Sequence, residues 1–434
     1  MKSQKSRNER ALRLAVIGAG SRGRAYSEYA EITQNQLEII AVAENIKQRR
    51  EIFSKRFNIP SSFQYKSGEE MLKAAPEVDA VLIATPDRTH VKMVKAFAEA
   101  GYNLLLEKPI ATDIEGVKEI ADIVTHHNKQ LFGVCHVLLY TPLTSQIKKI
   151  IENDVLGDIV SIQSLEPIGY WHFVHSYVRG NWRREDNSST LLLAKSCHDI
   201  DWIMHIMQEE VLSVSSFGSL NHFHEGSKPK GASDRCIDCS IEKECSFSSC
   251  RFYRERLAIG SKEWPLDTVI SEFTHEALEQ ELKTGPYGKC VYSCDNTVVD
   301  NQVVNIKFAN NKTASFSVMA FSDADYRKTR IFGTKGMLDT DGKTIKIFSF
   351  LNNLQKEISI NMMDGVSAVK GHGGGDFELM KSYIAAWRSG NYSEMNKKTL
   401  EGCVSHQVVF AAEKSRNEEC VVHMDEYQSL HELA

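Results

Sequence analysis

A glycine-rich turn near the start of the chain carries the pattern typical of dinucleotide binding. Gly18, Gly20 and Gly23 fit G-x-G-x-x-G directly after a short apolar run. The first glycine permits a tight turn, the second lets the backbone approach a pyrophosphate, and the third allows close packing of helix on strand. Ser21 and Arg22 lie inside the turn, and we expect both to contact the cofactor. A purely structural turn in an unrelated α/β domain is the alternative.

An acidic residue at the end of the second apolar run favours one cofactor over another. Glu44 follows Gly23 by about 20 residues, the spacing at which a carboxylate binds a ribose 2′-hydroxyl. Since a carboxylate repels a 2′-phosphate, we predict NAD in preference to NADP. Arg49 and Arg50 could reach a 2′-phosphate, but we interpret them as the solvated face of a helix.

Two polar loops follow other apolar runs of the same region. Strand 80–84 runs into TPDRTH (85–90), and strand 104–106 runs into EKP (107–109). Ligands of open α/β sheets bind beyond the carboxyl ends of the strands, so both loops should face the cofactor. Helix punctuation by the prolines and an exposed Glu–Lys ion pair are the alternatives. The predicted cofactor contacts in these loops are Thr85, Pro86, His90, Glu107 and Lys108.

A third segment, 170–205, is dense in side chains that bind or exchange protons. A helix is predicted from about Leu191, with an apolar stripe that should enter the core: Ile200, Ile203, Met204 and Met207. The opposite face carries Lys195, His198, Asp201 and His205. A solvated face of an amphipathic helix is the alternative interpretation of these four residues.

The elements that must position these groups follow from hydrophobic periodicity. Residues 12–130 alternate short apolar runs with helical stretches, which predicts a parallel sheet wrapped by helices. From about residue 141, alternating strands joined by Asn, Asp and Gly turns predict a second, antiparallel sheet with closing helices at 376–390 and 399–414. We therefore divide the chain into a tail (1–11), a dinucleotide-binding domain (12–140) and a second domain (141–434) with a cysteine-rich insert at about 221–265.

The ordered set of GxGxxG, ATPDRTH, EKP and a later H-x-x-D (His198, Asp201) resembles the glucose–fructose oxidoreductase, inositol dehydrogenase and MocA family. The resemblance implies an α/β chain with an N-terminal Rossmann domain and a C-terminal α+β domain built on a large, mostly antiparallel open sheet. It also implies NAD(P)-dependent oxidation or reduction of a sugar or polyol hydroxyl, and a homo-oligomer, dimer or tetramer. In such enzymes the EKP lysine, here Lys108, lies at the nicotinamide and substrate. His198 matches a histidine of the substrate pocket, and His136 occupies a position near the nicotinamide.

One position departs from the family pattern. The family commonly has an aspartate four residues before the pocket histidine, where this chain has Ala194 followed by Lys195. Oxidation of an alcohol needs a base that is neutral before it accepts the proton. A lysine becomes such a base where desolvation and a neighbouring positive charge disfavour its charged form, and Lys108 near Lys195 would meet that condition. We predict Lys108 as the leading acid/base group, with His198 and Lys195 assisting.

Aromatic and forked cationic side chains before the predicted helix could bind a sugar. We predict that the substrate wall comprises Tyr170, His172, Trp182 and Arg183 together with His198. Some of these aromatic side chains must instead belong to the core. The glycine-rich loop 371–376 is expected to cover the substrate, with Asp376 capping the helix that follows.

The insert carries four closely spaced cysteines: Cys236, Cys239, Cys245 and Cys250. Four thiols within fifteen residues could bind one tetrahedral Zn²⁺ in a structural role. An iron–sulfur cluster is less compatible with the spacing, and four reduced thiols in a loop remain the alternative.

Composition excludes several classes of function. The 434 residues are 42% hydrophobic and 25% charged, with a net charge of −5, which gives no electrostatic basis for nucleic-acid or anionic-membrane binding. The polar N-terminus lacks a signal-peptide core, and the ten cysteines have no secretory context, so we expect a cytoplasmic protein with reduced thiols.

We predict hydride transfer between NAD and a secondary hydroxyl of a sugar, polyol or glycoside. Redox-assisted glycoside cleavage with recycled NAD, and a non-catalytic NAD-binding sensor or scaffold, are the alternatives.

Overall fold

The computed structural model describes residues 7, 10–323, 326–360, 371–425 and 427. Its first sheet is parallel throughout and has the order β3-β2-β1-β4-β5-β6. Its strands are β1 (Leu12–Ile17), β2 (Leu37–Ala43), β3 (Gln64–Tyr65), β4 (Ala80–Ile83), β5 (Asn103–Leu106) and β6 (Phe132–Val134). The helices that connect them are α1 (Ser21–Ser27), α2 (Tyr29–Ile32), α3 (Lys47–Arg56), α4 (Gly68–Ala74), α5 (His90–Glu99) and α6 (Ile114–His126). This arrangement confirms the predicted Rossmann domain.

The second sheet is mixed but mostly antiparallel, as predicted. Its order is β14-β13-β12-β11-β7-β10-β9-β8-β15, and only β7 and β10 pair in parallel among the described strands. Its strands are β7 (Ile159–Pro167), β8 (Val211–Ser219), β9 (Asn301–Phe308), β10 (Thr313–Met319), β11 (Lys328–Gly333), β12 (Gly336–Thr340), β13 (Thr344–Ser349), β14 (Leu354–Ser359) and β15 (Val422–His423). The remaining helices are α7 (Pro142–Glu152), α8 (Tyr170–Phe173), α9 (Leu191–Met207), α10 (Ser249–Ala258), α11 (His275–Thr284), α12 (Gly375–Ser389) and α13 (Ser393–Glu418).

The last two helices tie the two sheets together. On α13, Cys403 and Val404 enter the core of the first sheet, whereas Val408 and Val409 enter that of the second. Helix α12 packs on the other face of the Rossmann sheet through side chains that include Tyr383. The second segment of the chain therefore completes both sides of the dinucleotide-binding domain, and packing crosses the sequence boundary predicted near residue 140.

The cysteine-rich insert is larger than the sequence suggested. It continues past residue 265 through α11 and ends where β9 begins at Asn301. It has a small core of its own, formed by residues that include Cys250, Tyr253, Leu278 and Leu282. Among the helices that the structure describes, none combines the length and the apolar character needed to cross a bilayer.

Candidate functional site

The glycine turn has the geometry that the sequence pattern requires. Gly18 has φ +94°, and a Cβ there would lie 2.3 Å from the carbonyl oxygen of Ala84. A Cβ on Gly23 would lie 2.0 Å from the carbonyl oxygen of Gly18. At Gly20 an added Cβ would meet nothing within 4 Å. Packing thus accounts for the first and third glycines, while the second faces open space of the kind a pyrophosphate would fill.

Glu44 lies at the carboxyl end of β2 and contacts the same turn. Its Oε2 accepts a hydrogen bond from the amide of Ala19 at 2.9 Å, and its Oε1 accepts one from Ile46 at 2.9 Å. Arg50 donates to the backbone carbonyl of Glu44, and Arg49 is exposed. The carboxylate therefore stands beside the turn, at the position predicted for a ribose contact.

Arg22 joins this turn to the end of β5 and to α12. Its Nε lies 2.6 Å from Oε1 of Glu107, which is only 5% exposed and also accepts a hydrogen bond from Tyr26 at 2.9 Å. The exposed Glu–Lys pair considered as an alternative is therefore wrong. Nη2 of Arg22 lies 2.5 Å from Oδ1 of Asp376. Ser21, next to Arg22, is exposed in the turn.

The predicted cap of α12 is also wrong. The helix begins at Gly375 after an N-cap at Gly374, and the Asp376 side chain turns toward Arg22 instead. Burial alone would raise the pKa of Asp376, but Arg22 and His372 outweigh it and lower that pKa to about 2. Asp376 is therefore a charged partner of the cofactor turn.

His90 joins the two polar loops. It is completely buried; its Nδ1 lies 2.8 Å from the Pro109 carbonyl and its Nε2 lies 3.0 Å from the Thr85 carbonyl. Both ring nitrogens thus lie at backbone carbonyls, and the cofactor contact of His90 stays a prediction. Thr85 is half-buried and Pro86 is exposed, so these residues remain available to a ligand.

Lys108 leaves the end of β5 and reaches the second domain. Its Nζ donates to the carbonyl of Ala194 in the first turn of α9. No carboxylate among the described residues forms an ion pair with it. The Lys108 ammonium therefore lies between the two domains with a carbonyl as its partner.

Lys195 has a carboxylate partner that the sequence did not reveal. Its Nζ lies 3.0 Å from Oε1 of Glu166, near the end of β7. Burial lowers the pKa of Lys195, Arg327 and Lys108 lower it further, and Glu166 opposes them. The predicted neighbourhood of the two lysines is thus present, together with two groups the prediction lacked.

Arg327 organises the floor of this cluster. It lies 3.1 Å from Glu166 and 2.6 Å from Oδ1 of Asp199, and its Nη2 donates to Nε2 of His198 at 2.9 Å. Burial lowers the pKa of His198, and Arg327, Lys108, His372 and Lys195 lower it further. A neutral imidazole whose Nε2 accepts a bond carries its proton on Nδ1. That Nδ1 is buried and has no hydrogen-bond partner among the described residues.

His136 belongs to the domain interface. It is 2% exposed, its Nδ1 lies 3.0 Å from Oδ2 of Asp201, and its ring stacks on that of His406 at 5.4 Å. Burial would lower the pKa of His136, but Asp201 raises it to about 10. Asp201 thus faces the interface rather than solvent and pairs with His136, whose cofactor contact stays a prediction.

The predicted substrate wall is divided by the structure. Burial lowers the pKa of His172 well below its usual value, and the charges of Lys195, His175, Lys108 and His372 lower it further, so its ring lies within electrostatic range of the cluster. Tyr170 instead lines a separate cavity of about 250 Å³ beside the insert. Tyr170 and His172 both lie on the short helix α8, and residues two positions apart on a helix point in different directions.

The other two predicted wall residues lie near the surface. Arg183 pairs with Asp295 at 2.8 Å. Trp182 is 39% exposed, with its ring 6.3 Å from that of Tyr177. Neither residue has a described contact with the cluster around Lys108.

Trp264 in the insert is an aromatic neighbour of the predicted wall that no local pattern indicated. Its ring centroid lies 4.8 Å from that of His172 and 5.4 Å from that of His175. Three residues further on, Asp267 pairs with Arg24 of α1. The insert therefore contacts both the substrate wall and the helix behind the glycine turn, a relation between distant segments that no local pattern could indicate.

One set of three potential metal ligands lies within 4.8 Å in the described part of the chain: His136, Cys197 and His406. His406 accepts a bond from the amide of Ile110 on Nε2 at 2.9 Å, and its Nδ1 lies 2.8 Å from the Gly402 carbonyl. Since both nitrogens of His406 are engaged, we interpret the set as interface packing. Among the four cysteines predicted to bind zinc (Cys236, Cys239, Cys245 and Cys250), no three sulfurs lie within 4.8 Å of one another.

Comparisons with known proteins agree with the fold and the glycine turn. Residues 12–136 match the profile of the Gfo/Idh/MocA oxidoreductase family, NAD-binding Rossmann fold, and residues 148–401 match the C-terminal alpha/beta domain of the same family. The protein YteT of Bacillus subtilis (strain 168) is 21% identical over 391 residues, which covers 84% of this chain and 87% of YteT.

Two further comparisons involve named dehydrogenases. The scyllo-inositol 2-dehydrogenase (NAD(+)) of Bacillus subtilis (strain 168) is 25% identical over 217 residues, covering 49% of this chain and 58% of that enzyme. The match therefore spans less than two thirds of that relative. The solved structure of levoglucosan dehydrogenase in complex with NADH and levoglucosan shares the fold, with a TM-score of 0.66, 16% identity, and coverage of 95% of this chain and 99% of that one. With both of its domains matched, the chain belongs to the Gfo/Idh/MocA family and is an NAD-binding oxidoreductase.

Proposed function

We propose that the protein oxidises a secondary hydroxyl of a sugar, polyol or glycoside, with NAD as the hydride acceptor. The observation that carries this proposal is the position of Lys108. It leaves the sheet that holds the cofactor turn, and its ammonium reaches α9 beside Lys195 and His198. A group that links the cofactor sheet to a buried polar cluster is placed to exchange a proton with a substrate hydroxyl.

The two lysines differ in their partners, and this difference assigns their roles. Lys195 is held by the Glu166 carboxylate at 3.0 Å, which stabilises its charge and fixes its position. Lys108 has a carbonyl partner and no ion pair among the described residues, so its ammonium is held less firmly than that of Lys195. Lys108 is therefore the acid/base residue in this proposal, and Lys195 binds and orients the substrate.

His198 acts as a hydrogen-bond donor rather than as a base. Its Nε2 is occupied by Arg327, and its Nδ1–H is free to donate to a second substrate oxygen. Bound NAD supplies hydride acceptance at its nicotinamide. The residues of this chain orient the alcohol and take its proton, through a base within hydrogen-bond reach.

The density of polar groups supports a polyhydroxylated substrate. Lys195, Arg327, Glu166 and Asp199 offer cations and carboxylates within one buried cluster, and His172 with Trp264 supplies aromatic faces beside it. Relatives whose names state a substrate act on inositol or levoglucosan, both of them ring compounds with several hydroxyls. We include both compounds in the substrate panel.

Glu44 supports NAD in preference to NADP. Its carboxylate lies at the ribose end of the glycine turn, where a 2′-phosphate would meet a negative charge. Arg50 is bound to a backbone carbonyl and so does not offset this charge at the carboxylate.

The test combines cofactor binding with turnover. Purified protein is titrated with NAD⁺ and NADP⁺ and then assayed with a panel of inositols, anhydrosugars, sugars and glycosides by nicotinamide absorbance. We expect NAD⁺ to bind more tightly than NADP⁺ and at least one polyhydroxylated substrate to yield NADH. Failure of both cofactors to bind at millimolar concentration would refute the proposal.

A further inference from the structure

Four cysteines of the insert share a backbone feature. The carbonyls of Cys236, Cys239, Cys245 and Cys290 each accept a hydrogen bond from the amide three residues later, at 3.1–3.3 Å. Each of these residues therefore opens a tight turn, in which the following amides can face its sulfur. The amides two residues beyond Cys245 and Cys290 do donate to those sulfurs.

The fold brings the separate segments that carry these cysteines together. Arg235 and Lys289 form an antiparallel bridge, and the amide of Cys290 donates to the carbonyl of Asp234 at 2.8 Å. The sulfur of Cys236 lies 3.8 Å from the Lys289 carbonyl. Cys290, more than fifty residues from Cys236 in sequence, is thus its neighbour in space.

Cys250, the fourth ligand predicted from spacing, has a different backbone environment. It lies in the first turn of α10, is 1% exposed, and packs with Tyr253 and Leu278 in the apolar core of the insert, to which Cys236 also belongs. Its carbonyl opens no separate turn, because the helix continues. Its place inside a continuous helix, rather than its burial, is what separates Cys250 from Cys236, Cys239, Cys245 and Cys290.

A buried arginine beside the cysteines lacks a carboxylate partner. Arg179 is 3% exposed and donates to the carbonyls of Lys289 at 2.8 Å and Phe247 at 2.9 Å, and to the sulfur of Cys236 at 3.5 Å. No carboxylate among the described residues pairs with it. The acidic groups around it are thiols and the Tyr253 phenol. A buried charge needs compensation, and neutral thiols do not supply it.

We propose that Cys236, Cys239, Cys245 and Cys290 bind one Zn²⁺ as a tetrathiolate site, with Arg179 as the neighbouring positive charge. Each thiol releases its proton to solvent as its sulfur bonds to the metal, and no electron is transferred. Four thiolates and one Zn²⁺ leave a net charge of −2, which the Arg179 guanidinium partly offsets. Tetrahedral sulfur coordination is the geometry that Zn²⁺ adopts in structural sites.

Binding requires a local rearrangement of side chains. No three of the four sulfurs lie within 4.8 Å of one another. The Cys236 thiol must give up its contact with the Lys289 carbonyl and rotate about its Cα–Cβ bond. Since the backbone turns are already formed, this rotation changes side chains rather than the fold.

The test measures metal content in the full-length protein and in two matched variants. Protein purified without chelator is analysed for zinc by mass spectrometry. We expect about one zinc per chain in the wild type and in Cys250→Ser, and loss of zinc in Cys290→Ser. Zinc retained by Cys290→Ser but lost from Cys250→Ser would overturn the ligand set. Wild type that neither contains zinc nor takes up added Zn²⁺ would overturn the site itself, and iron in its place would overturn the metal assignment.

A second measurement keeps the test decisive if Cys290→Ser does not fold. Wild-type protein is alkylated with and without bound zinc, and its peptides are mapped. Zinc should protect the four proposed ligands, while the exposed Cys420 reacts in both states. Protection of any other set of four, or of none, contradicts the proposal. Arg179→Gln should lose zinc to a chelator faster than wild type, and an unchanged rate would exclude Arg179 as the compensating charge.

Discussion

Replacement of Lys108 separates a catalytic role from a structural one. In Lys108→Ala, α9 loses the donor to the Ala194 carbonyl, a charge-assisted bond worth about 1.5–3 kcal/mol at most in the folded protein. Because Lys108 is half-buried and water can replace it as donor, we expect the lower end of that range. Loss of a general acid/base lowers turnover by about 10²–10⁴-fold, which corresponds to about 3–5 kcal/mol of transition-state stabilisation. The effect on turnover should therefore greatly exceed that on folding.

The assay compares kcat, the Kd for NAD and the urea midpoint of three variants. Lys108→Ala should bind NAD nearly as wild type and lose at least ~10²-fold in kcat. Lys108→Arg should fail similarly, since a guanidinium keeps its proton near neutral pH. Lys92→Ala, on the exposed side of α5 and paired with Glu69, is the control and should be unaffected. Wild-type turnover by Lys108→Arg would exclude proton transfer by this side chain.

Three other outcomes follow from the described geometry. Asp201→Asn should lower the free energy of unfolding by about 3–5 kcal/mol. Because Asp201 raises the His136 pKa to about 10, this pair stabilises the folded protein fully below pH 6.5 and less as the pH rises toward 10. Urea unfolding of the wild type should show this loss of stability, and unfolding of the variant should not. Glu44→Ala should reduce the preference for NAD over NADP more than it weakens NAD binding, and an unchanged ratio of the two Kd values would show that Glu44 does not contact the ribose. Trp264→Ala should raise KM for the sugar while Trp182→Ala leaves it unchanged; equal effects would place Trp264 outside the wall.

Elements with a regular local signal could be predicted closely from the sequence. Strand β2 (Leu37–Ala43) coincides with the second apolar run, α7 (Pro142–Glu152) begins where the second domain was predicted to start, and α9 begins at Leu191 as predicted. In each case an apolar run or stripe is limited by a polar residue or a cap: Thr141 caps α7 and Thr190 caps α9. Such boundaries depend on neighbouring residues alone, which is why they can be found without tertiary contacts.

Elements without that signal were missed or only partly predicted. Strand β14 is exposed at almost every residue and pairs with β13 only at the edge of its sheet, so it has no alternation of apolar and polar residues. Helix α3 buries only Phe53 and Ser54 and shows no apolar stripe, so the sequence indicated only a solvated helix face at Arg49 and Arg50 and gave no bounds. Their conformation follows from sheet pairing and chain connection, which a local pattern does not contain.

The candidate site shows the same division between local and tertiary information. The glycine turn, Glu44 and Lys108 each lie at the end of a strand and could be identified from motifs. Glu166 and Arg327 have no motif, because one ends β7 and the other precedes β11, far from each other in sequence. His90 and His136 lie in motif positions, but their burial and their partners could be determined only from the folded chain.

The contacts of Lys195 and Lys108 show how this chain accommodates Ala194 at the position where the family pattern has an aspartate. The family pattern places a carboxylate on the same helix as the pocket histidine, whereas in this chain the carboxylate nearest Lys195 comes from the second sheet, as Glu166. Arg327 bridges Glu166 and Asp199, so the two buried carboxylates are already neutralised by two cations, Lys195 and Arg327. Neither of these two carboxylates forms an ion pair with Lys108, whose Nζ donates to the Ala194 carbonyl. With Ala in place of Asp, α9 presents a backbone carbonyl to Lys108, and Glu166 of the second sheet supplies the carboxylate partner of Lys195.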